Sequence, residues 1–197
     1  MVDLVSPLRH AMPADAPAMA DLVHFASEGL ALYLWTTIAR TGVDPWAIGR
    51  ERAERDAGSF SYRNTILVDG DRRVAAGLIG YPLADTPEPM PDNFPAIAVP
   101  LQELEDLVPG TWYVNVLAAY PEQRGKGYGT ALLGVAEQFA RATLRRGMSI
   151  IVADSNTGAR RLYERCGYRE VARRRMVKDG WQHPGAEFVL LTKRLAV

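Results

Sequence analysis

Residues 123–130 read QRGKGYGT. They stand between an apolar run, TWYVNVLAAYP at 111–121, and another, ALLGVAEQFA at 131–140. Glycine tolerates positive φ and lets a ligand approach the backbone closely. If a helix opens directly after the glycines, its first turn offers unpaired N–H groups and the positive end of its dipole. Together these make an anion site, and phosphate is the usual guest. Gly125, Gly127 and Gly129 would shape such a site, Thr130 closes it, and Arg124 and Lys126 add positive charge.

Three phosphate-binding patterns can be compared. A Walker loop needs Gly, four residues and then Gly-Lys-Ser/Thr, which this chain lacks. A dinucleotide fingerprint needs G-x-G-x-x-G, and here the third glycine comes one residue early. The pattern [Q/R]-x-x-G-x-[G/A] is met at every defined position by Arg124 to Gly129. A glycine-rich turn without a ligand remains the plain alternative. A second segment, NTGARRLYERCGY at 156–168, fits N-x-x-A-x-x-L-Y-x-x-x-G-[F/Y] throughout. Asn156 and Tyr163 are seven residues apart, which on a helix returns them to nearly one face. Taken singly, Asn156 could simply cap that helix and Tyr163 could be a half-buried aromatic.

The two segments, in this order and spacing, resemble the GNAT acyl-CoA N-acyltransferases over about residues 111–168. The resemblance implies a mixed α/β fold. Its central, mostly antiparallel sheet has about seven strands, strands 4 and 5 splay apart, and helices cover both faces. It implies acetyl-CoA as co-substrate, with no metal. The glycine loop would take the pyrophosphate. The backbone at Leu117, Ala118 and Ala119 would pair with the pantetheine arm, Asn156 would contact that arm, and Tyr163 would lie near the sulfur.

The implied reaction joins a primary amine, on a small molecule or peptide, to the acetyl group by direct attack. The amine must attack as the neutral base, which a lysine-type amine near pKa ~10.4 reaches less readily than an α-amine near ~8. Tyr163 is the candidate general acid for the leaving thiolate. A backbone N–H near Leu117 would polarise the carbonyl. Where many relatives carry a glutamate, this chain has Asn115. An asparagine takes no proton at working pH but can orient a water or the amine. Glu28 acting through water, or an amine that arrives neutral, are the alternatives for the base. A non-catalytic acyl-CoA-binding module and a transferase of longer acyl groups are the rival functions.

Other elements must hold these residues in place. Asp15 is a candidate cap for a helix carrying Met19, Leu22, Val23 and Ala26. A second helix is expected over 30–40, and a third from Asp44-Pro45 through Ala57 with Gly58 as its stop. A hairpin is expected over 64–69 and 74–81, turning at Gly70-Asp71. Residues 82–110 form a proline-rich insertion, with 82–100 read as a long loop. Strand 111–118, helix 128–146, strand 149–153, helix 157–165 and strands near 169–177 and 188–194 follow. Leu132, Val135, Ala136, Phe139 and Ala140 make one apolar helical stripe and read as core.

Bulk properties set outer bounds. At 197 residues, one domain is the better expectation. Lys plus Arg balances Asp plus Glu at 23 each, so charge gives no argument for nucleic acid or an acidic membrane. The single cysteine, Cys166, cannot form an internal disulfide and reads as a small buried hydrophobe in a reducing, cytoplasmic setting. His10, His24 and His183 show no metal-ligand spacing. The arginines from 169 to 175 read as a solvated strand face, Arg160 and Arg161 as better placed for a phosphate. Whether two chains pair into a homodimer is open.

Overall fold

The computed structural model describes residues 2–195. Seven strands form one sheet: β1 (Leu8–His10), β2 (Thr65–Asp69), β3 (Val74–Pro82), β4 (Trp112–Ala119), β5 (Gly147–Ala153), β6 (Arg169–Arg175) and β7 (Glu187–Arg194), in the order β1-β2-β3-β4-β5-β7-β6. The helices are α1 (Ala16–Ala26), α2 (Leu30–Ile38), α3 (Pro45–Ala53), α4 (Val99–Glu105), α5 (Tyr128–Ala142) and α6 (Thr157–Arg165). The chain divides into two compact units, Met1–Tyr81 with Asn115–Val135, and Pro82–Val114 with Ala136–Val197.

In the first unit the β2–β3 hairpin is antiparallel, and β1 adds to β2 antiparallel. The hairpin turns where Gly70-Asp71 was expected to turn it. Met19 and Leu22 of α1 pack with Leu67, Val74, Ile79, Val116 and Tyr120 in one apolar cluster. Gly77 is glycine because a Cβ there would stand 2.8 Å from both Leu22 and Leu67 side chains. Trp35 of α2 is buried and stacks on Phe60 at 6.3 Å, and a Cβ on Gly49 of α3 would meet its ring at 2.6 Å. These contacts hold α3 against α2.

In the second unit β4 and β5 run parallel, paired through Trp112↔Met148, Tyr113↔Ser149 and Val114↔Ile150. β7 pairs antiparallel with β5 on one side and with β6 on the other. Successive residues of β4 face opposite sides of the sheet. Trp112 stacks at 6.3 Å on Phe139 of α5, whereas Tyr113 hydrogen-bonds Glu105 of α4. α4 and α5 therefore cover opposite faces. α6 belongs to the α5 face: Tyr168, just after it, donates to Met148 Sδ at 3.6 Å.

Several elements depart from the sequence expectations. β1 was not anticipated. The 82–100 segment is not loop throughout: a 3-10 turn at Ala96–Ala98 leads into α4, with Pro100 in its first turn, where a missing N–H costs nothing. α3 stops at Ala53, not Ala57, because Ser61 Oγ takes the Arg55 carbonyl and Asp56 takes Tyr62 and Arg63. α5 stops at Ala142, and Leu144 beyond it has left-handed φ. Asp15 stands at the N-cap of α1, but its carboxylate binds Arg9 and the Met12 N–H instead of capping.

Candidate active site

Most of the residues singled out from the sequence lie in the first unit: Asn115, Leu117, Ala118, Ala119, Arg124, Gly125, Lys126, Gly127, Gly129 and Thr130. Asn156 and Tyr163 lie in the second.

The glycine loop leads directly into α5, as its position between strand and helix suggested. Gly125 (φ 77°) and Gly127 (φ 86°) are left-handed, a conformation costing an ordinary L-residue roughly 1–2 kcal/mol. A Cβ on either would have no atom within 4 Å, so the space they border is open. The glycine here serves the backbone conformation and ligand approach rather than tight packing. The N–H groups of Tyr128, Gly129 and Thr130, in the first turn of α5, have no helical carbonyl to reach. Arg124 Nε meets the Ala119 carbonyl at 3.4 Å, and Lys126 Nζ donates to Gln123 Oε1 at 2.8 Å. Neither of these partners carries charge. The nearby acid, Glu122, is ion-paired with Arg73, whose guanidinium also lies over the Tyr120 ring. This arrangement has the donors and the charge to hold a pyrophosphate.

On β4, Asn115 is exposed, while Leu117, Ala118 and Ala119 are half-buried. Tyr120 follows, its N–H donating to Ala75 O at 3.0 Å and its hydroxyl to Asp21 at 2.7 Å. Burial, with the Asp21 bond adding to it, pushes the Tyr120 phenol well above its ordinary value. Tyr120 is thus a fixed strut at the end of β4 whose hydroxyl keeps its proton at neutral pH. Glu28 is half-buried, with left-handed φ (51°), in the turn joining α1 to α2.

In the second unit α6 has the bounds expected of it. Asn156 Oδ1 accepts the Ala159 N–H at 3.1 Å, so the plain capping reading of that residue holds. Gly167, left-handed at φ 91°, ends the segment. Tyr163 is 5% exposed, more buried than the half-buried aromatic of the plain reading, and its ring lies 6.0 Å from that of Tyr168. Cys166, expected to be a small buried hydrophobe, is half-buried at the end of the helix.

The cationic candidates separate. Of the two arginines expected to be better placed for a phosphate, Arg160 pairs with Glu170 at 2.9 Å and Arg161 is exposed. Arg173 pairs with Glu170 and Glu187, and Arg174 with Glu103. His183 is buried, stacked on Trp181 at 4.4 Å, and accepts the Gly185 N–H. Among the described residues no group of His, Cys, Asp and Glu could hold a metal ion, and no helix is long and apolar enough to cross a membrane.

Sequence reasoning missed Glu105. It lies on α4, inside the stretch read as proline-rich insertion, and burial pushes its carboxyl up to about 7. Its Tyr113 hydrogen bond opposes that rise, and the Asp106 charge adds to it. Nothing in the linear pattern marks it, because its setting exists only once α4 folds against β4.

The family model described as Acetyltransferase (GNAT) family matches residues 33–168, more than half of the chain. The chain belongs to the GNAT acetyltransferase family. Solved structures agree on the fold. A crystal structure of an acetyltransferase is similar at TM-score 0.67 and 19% identity, covering 96% of this chain and 99% of that one. An N-acetyltransferase from Staphylococcus aureus Mu50 is similar at TM-score 0.65 and 16% identity, covering 94% and 98%. A GNAT family acetyltransferase from Elizabethkingia anophelis, solved with acetyl-CoA bound, is similar at TM-score 0.50 and 19% identity, covering 66% and 75%. No curated protein sequence matches the chain.

Proposed function

We propose that this protein is an acetyl-CoA-dependent N-acetyltransferase acting on a primary amine of a small molecule or peptide, by direct attack in a ternary complex. The observation that carries this reading is the loop before α5. Two left-handed glycines border open space there, beside cations bonded to uncharged oxygens, in a chain of this family. The acetyl-CoA bound to the Elizabethkingia relative supports the choice of co-substrate.

In this reading Arg124, Lys126 and the N–H groups opening α5 hold the pyrophosphate. The backbone at Leu117, Ala118 and Ala119 takes the pantetheine arm, with Asn156 as a further contact. The amine nitrogen attacks the thioester carbonyl, whose oxygen is polarised by a β4 N–H near Leu117. Asn115 orients the amine. The C–S bond breaks toward sulfur, which takes the Tyr163 proton. The absence of a carboxylate at position 115 favours a second reading, a non-catalytic acyl-CoA binder. The single Cys166 agrees with a cytoplasmic setting.

One experiment separates the two. Thiol release from acetyl-CoA is followed with an alanyl peptide, a lysyl peptide and an aminoglycoside, for wild type and Tyr163→Phe. The enzyme reading expects amine-dependent release that falls by about 10²–10⁴-fold in Tyr163→Phe, with acetyl-CoA affinity kept. Equal turnover in both proteins removes Tyr163 from the acid role. Binding without release by any amine supports the binder.

A further inference from the structure

We propose that His183 is a positioning residue: it locks the 176–186 loop onto the turn at 154–156 and so fixes the direction of Asn156. This deepens the enzyme reading above and rests on it, because that reading gives Asn156 a contact with the pantetheine arm.

Three observations converge, all inside the second unit. First, hydrogen bonds and peptide links lead from the histidine to the asparagine. His183 Nδ1 accepts the buried Gly185 N–H at 3.0 Å. The next N–H, of Ala186, donates to Asp154 Oδ1 at 3.0 Å, and the Asp154 N–H donates to the Glu187 carbonyl at 2.9 Å. Asn156 follows in the same turn. Its N–H donates to the Ala153 carbonyl at 3.0 Å, and its Oδ1 caps α6 through Ala159. Second, the contact is keyed by shape. A Cβ on Gly185 would stand 2.6 Å from Asp154 Oδ1 and 2.9 Å from both His183 Cε1 and Ser155 Oγ. Gly185 is not left-handed, so glycine serves this close approach and not a special backbone conformation. Third, the histidine is held from its other sides. Its ring stacks on Trp181 at 4.4 Å, and the buried Trp181 stacks in turn on Phe188 of β7 at 6.5 Å. The His183 carbonyl accepts Lys178 Nζ at 2.6 Å, and the Lys178 carbonyl accepts the Trp181 N–H at 2.7 Å. A hairpin needs only about 2–5 residues to turn. The longer connection between β6 and β7 is built as a rigid wedge against the residues that lead into α6.

Histidine joins two capacities here. Its flat ring stacks on Trp181, and its Nδ1 is an acceptor one bond beyond Cγ. Phenylalanine keeps only the ring. Asparagine, with Oδ1 in the place of Nδ1, keeps only the acceptor. If His183 acts through the Gly185 bond, asparagine preserves the role and phenylalanine destroys it. If the ring merely fills space, the order reverses.

The test compares wild type, His183→Phe and His183→Asn by calorimetry. Each is titrated with acetyl-CoA and with the nucleotide half of coenzyme A, which carries the pyrophosphate and lacks the arm. His183→Phe leaves the Gly185 N–H without its acceptor. Its affinity for acetyl-CoA should fall about tenfold, the worth of one ligand hydrogen bond. His183→Asn should stay within about twofold of wild type, and the nucleotide half should bind all three proteins alike. In ligand-free protein, amide exchange at Ala186 and Ala159 should quicken about tenfold in His183→Phe and keep the wild-type rate in His183→Asn. The reverse order of the two variants, equal damage in both, an equal loss for the nucleotide half, or wild-type behaviour of His183→Phe overturns the positioning role alone. Failure of wild type to bind acetyl-CoA overturns the enzyme reading, and the positioning role falls with it.

Discussion

Two stretches of this chain look basic on paper: the loop around Arg124 and Lys126, and the strand β6 with its arginines at 169, 173, 174 and 175. The folded protein treats them oppositely. On β6, Arg173 binds Glu170 and Glu187 and Arg174 reaches Glu103, so the charge of these two is cancelled within the fold, while Arg169 touches only the Glu164 and Tyr168 carbonyls. In the loop, Arg124 and Lys126 touch a backbone carbonyl and an amide oxygen, while the adjacent Glu122 is drawn off by Arg73. Cations bonded to neutral oxygens keep most of their attraction for an incoming anion. Cations in carboxylate pairs have spent it. A count of arginines therefore says less about ligand binding than the identity of each partner.

The contrast can be broken most strongly at Gly127. Gly127→Asp forces a side chain onto a left-handed residue and sets a negative charge against the anion. Acetyl-CoA affinity should fall by roughly 100-fold, about 2.7 kcal/mol, by calorimetry. A smaller loss is expected when Arg124 and Lys126 are both changed to alanine. Removing two exposed ion pairs with the anion, worth about 0.7 kcal/mol each, should weaken binding about tenfold, and the loss should shrink with added salt. The same measurement on Arg173→Ala should show no change in affinity. An effect there as large as in the loop double variant would contradict the division into spent and available charge.

The smallest effect sharpens the comparison from the other side. β6 lends Arg174 to Glu103, and among the described residues the ionisable groups acting on Glu105 are Tyr113 and Asp106. A carboxyl whose folded value is raised from 4.5 to about 7 binds its proton more tightly folded than unfolded. Its contribution to stability is therefore full below about 4.5 and is lost as pH rises toward 7. Chemical denaturation should show that loss in wild type, and Glu105→Gln should lack it. Parallel pH profiles for the two proteins would mean that Glu105 titrates normally.

What could be read in advance follows the range of the interactions. α6 was legible to the residue because a local asparagine cap and a local glycine stop define it. The glycine loop was legible because left-handed backbone leaves its mark in residue type. The end of α3 was not, since it is set by Ser61 and Asp56 reaching across six and seven residues. Asp15 misled because Arg9 outcompetes the helix N–H groups for its carboxylate. β1 has only three residues, too few for a period to show. α4 was hidden by its own prolines, and with it Glu105, whose properties arise from burial and a partner on another element.

The central claim is that the loop before α5 holds acetyl-CoA, and the most direct measurement is a calorimetric titration of wild type and Gly127→Asp with acetyl-CoA, run in parallel. Saturable one-site binding by wild type, weakened roughly 100-fold in the variant, is the predicted result. Equal affinities would move the site away from the loop, and no binding by wild type would contradict the account altogether.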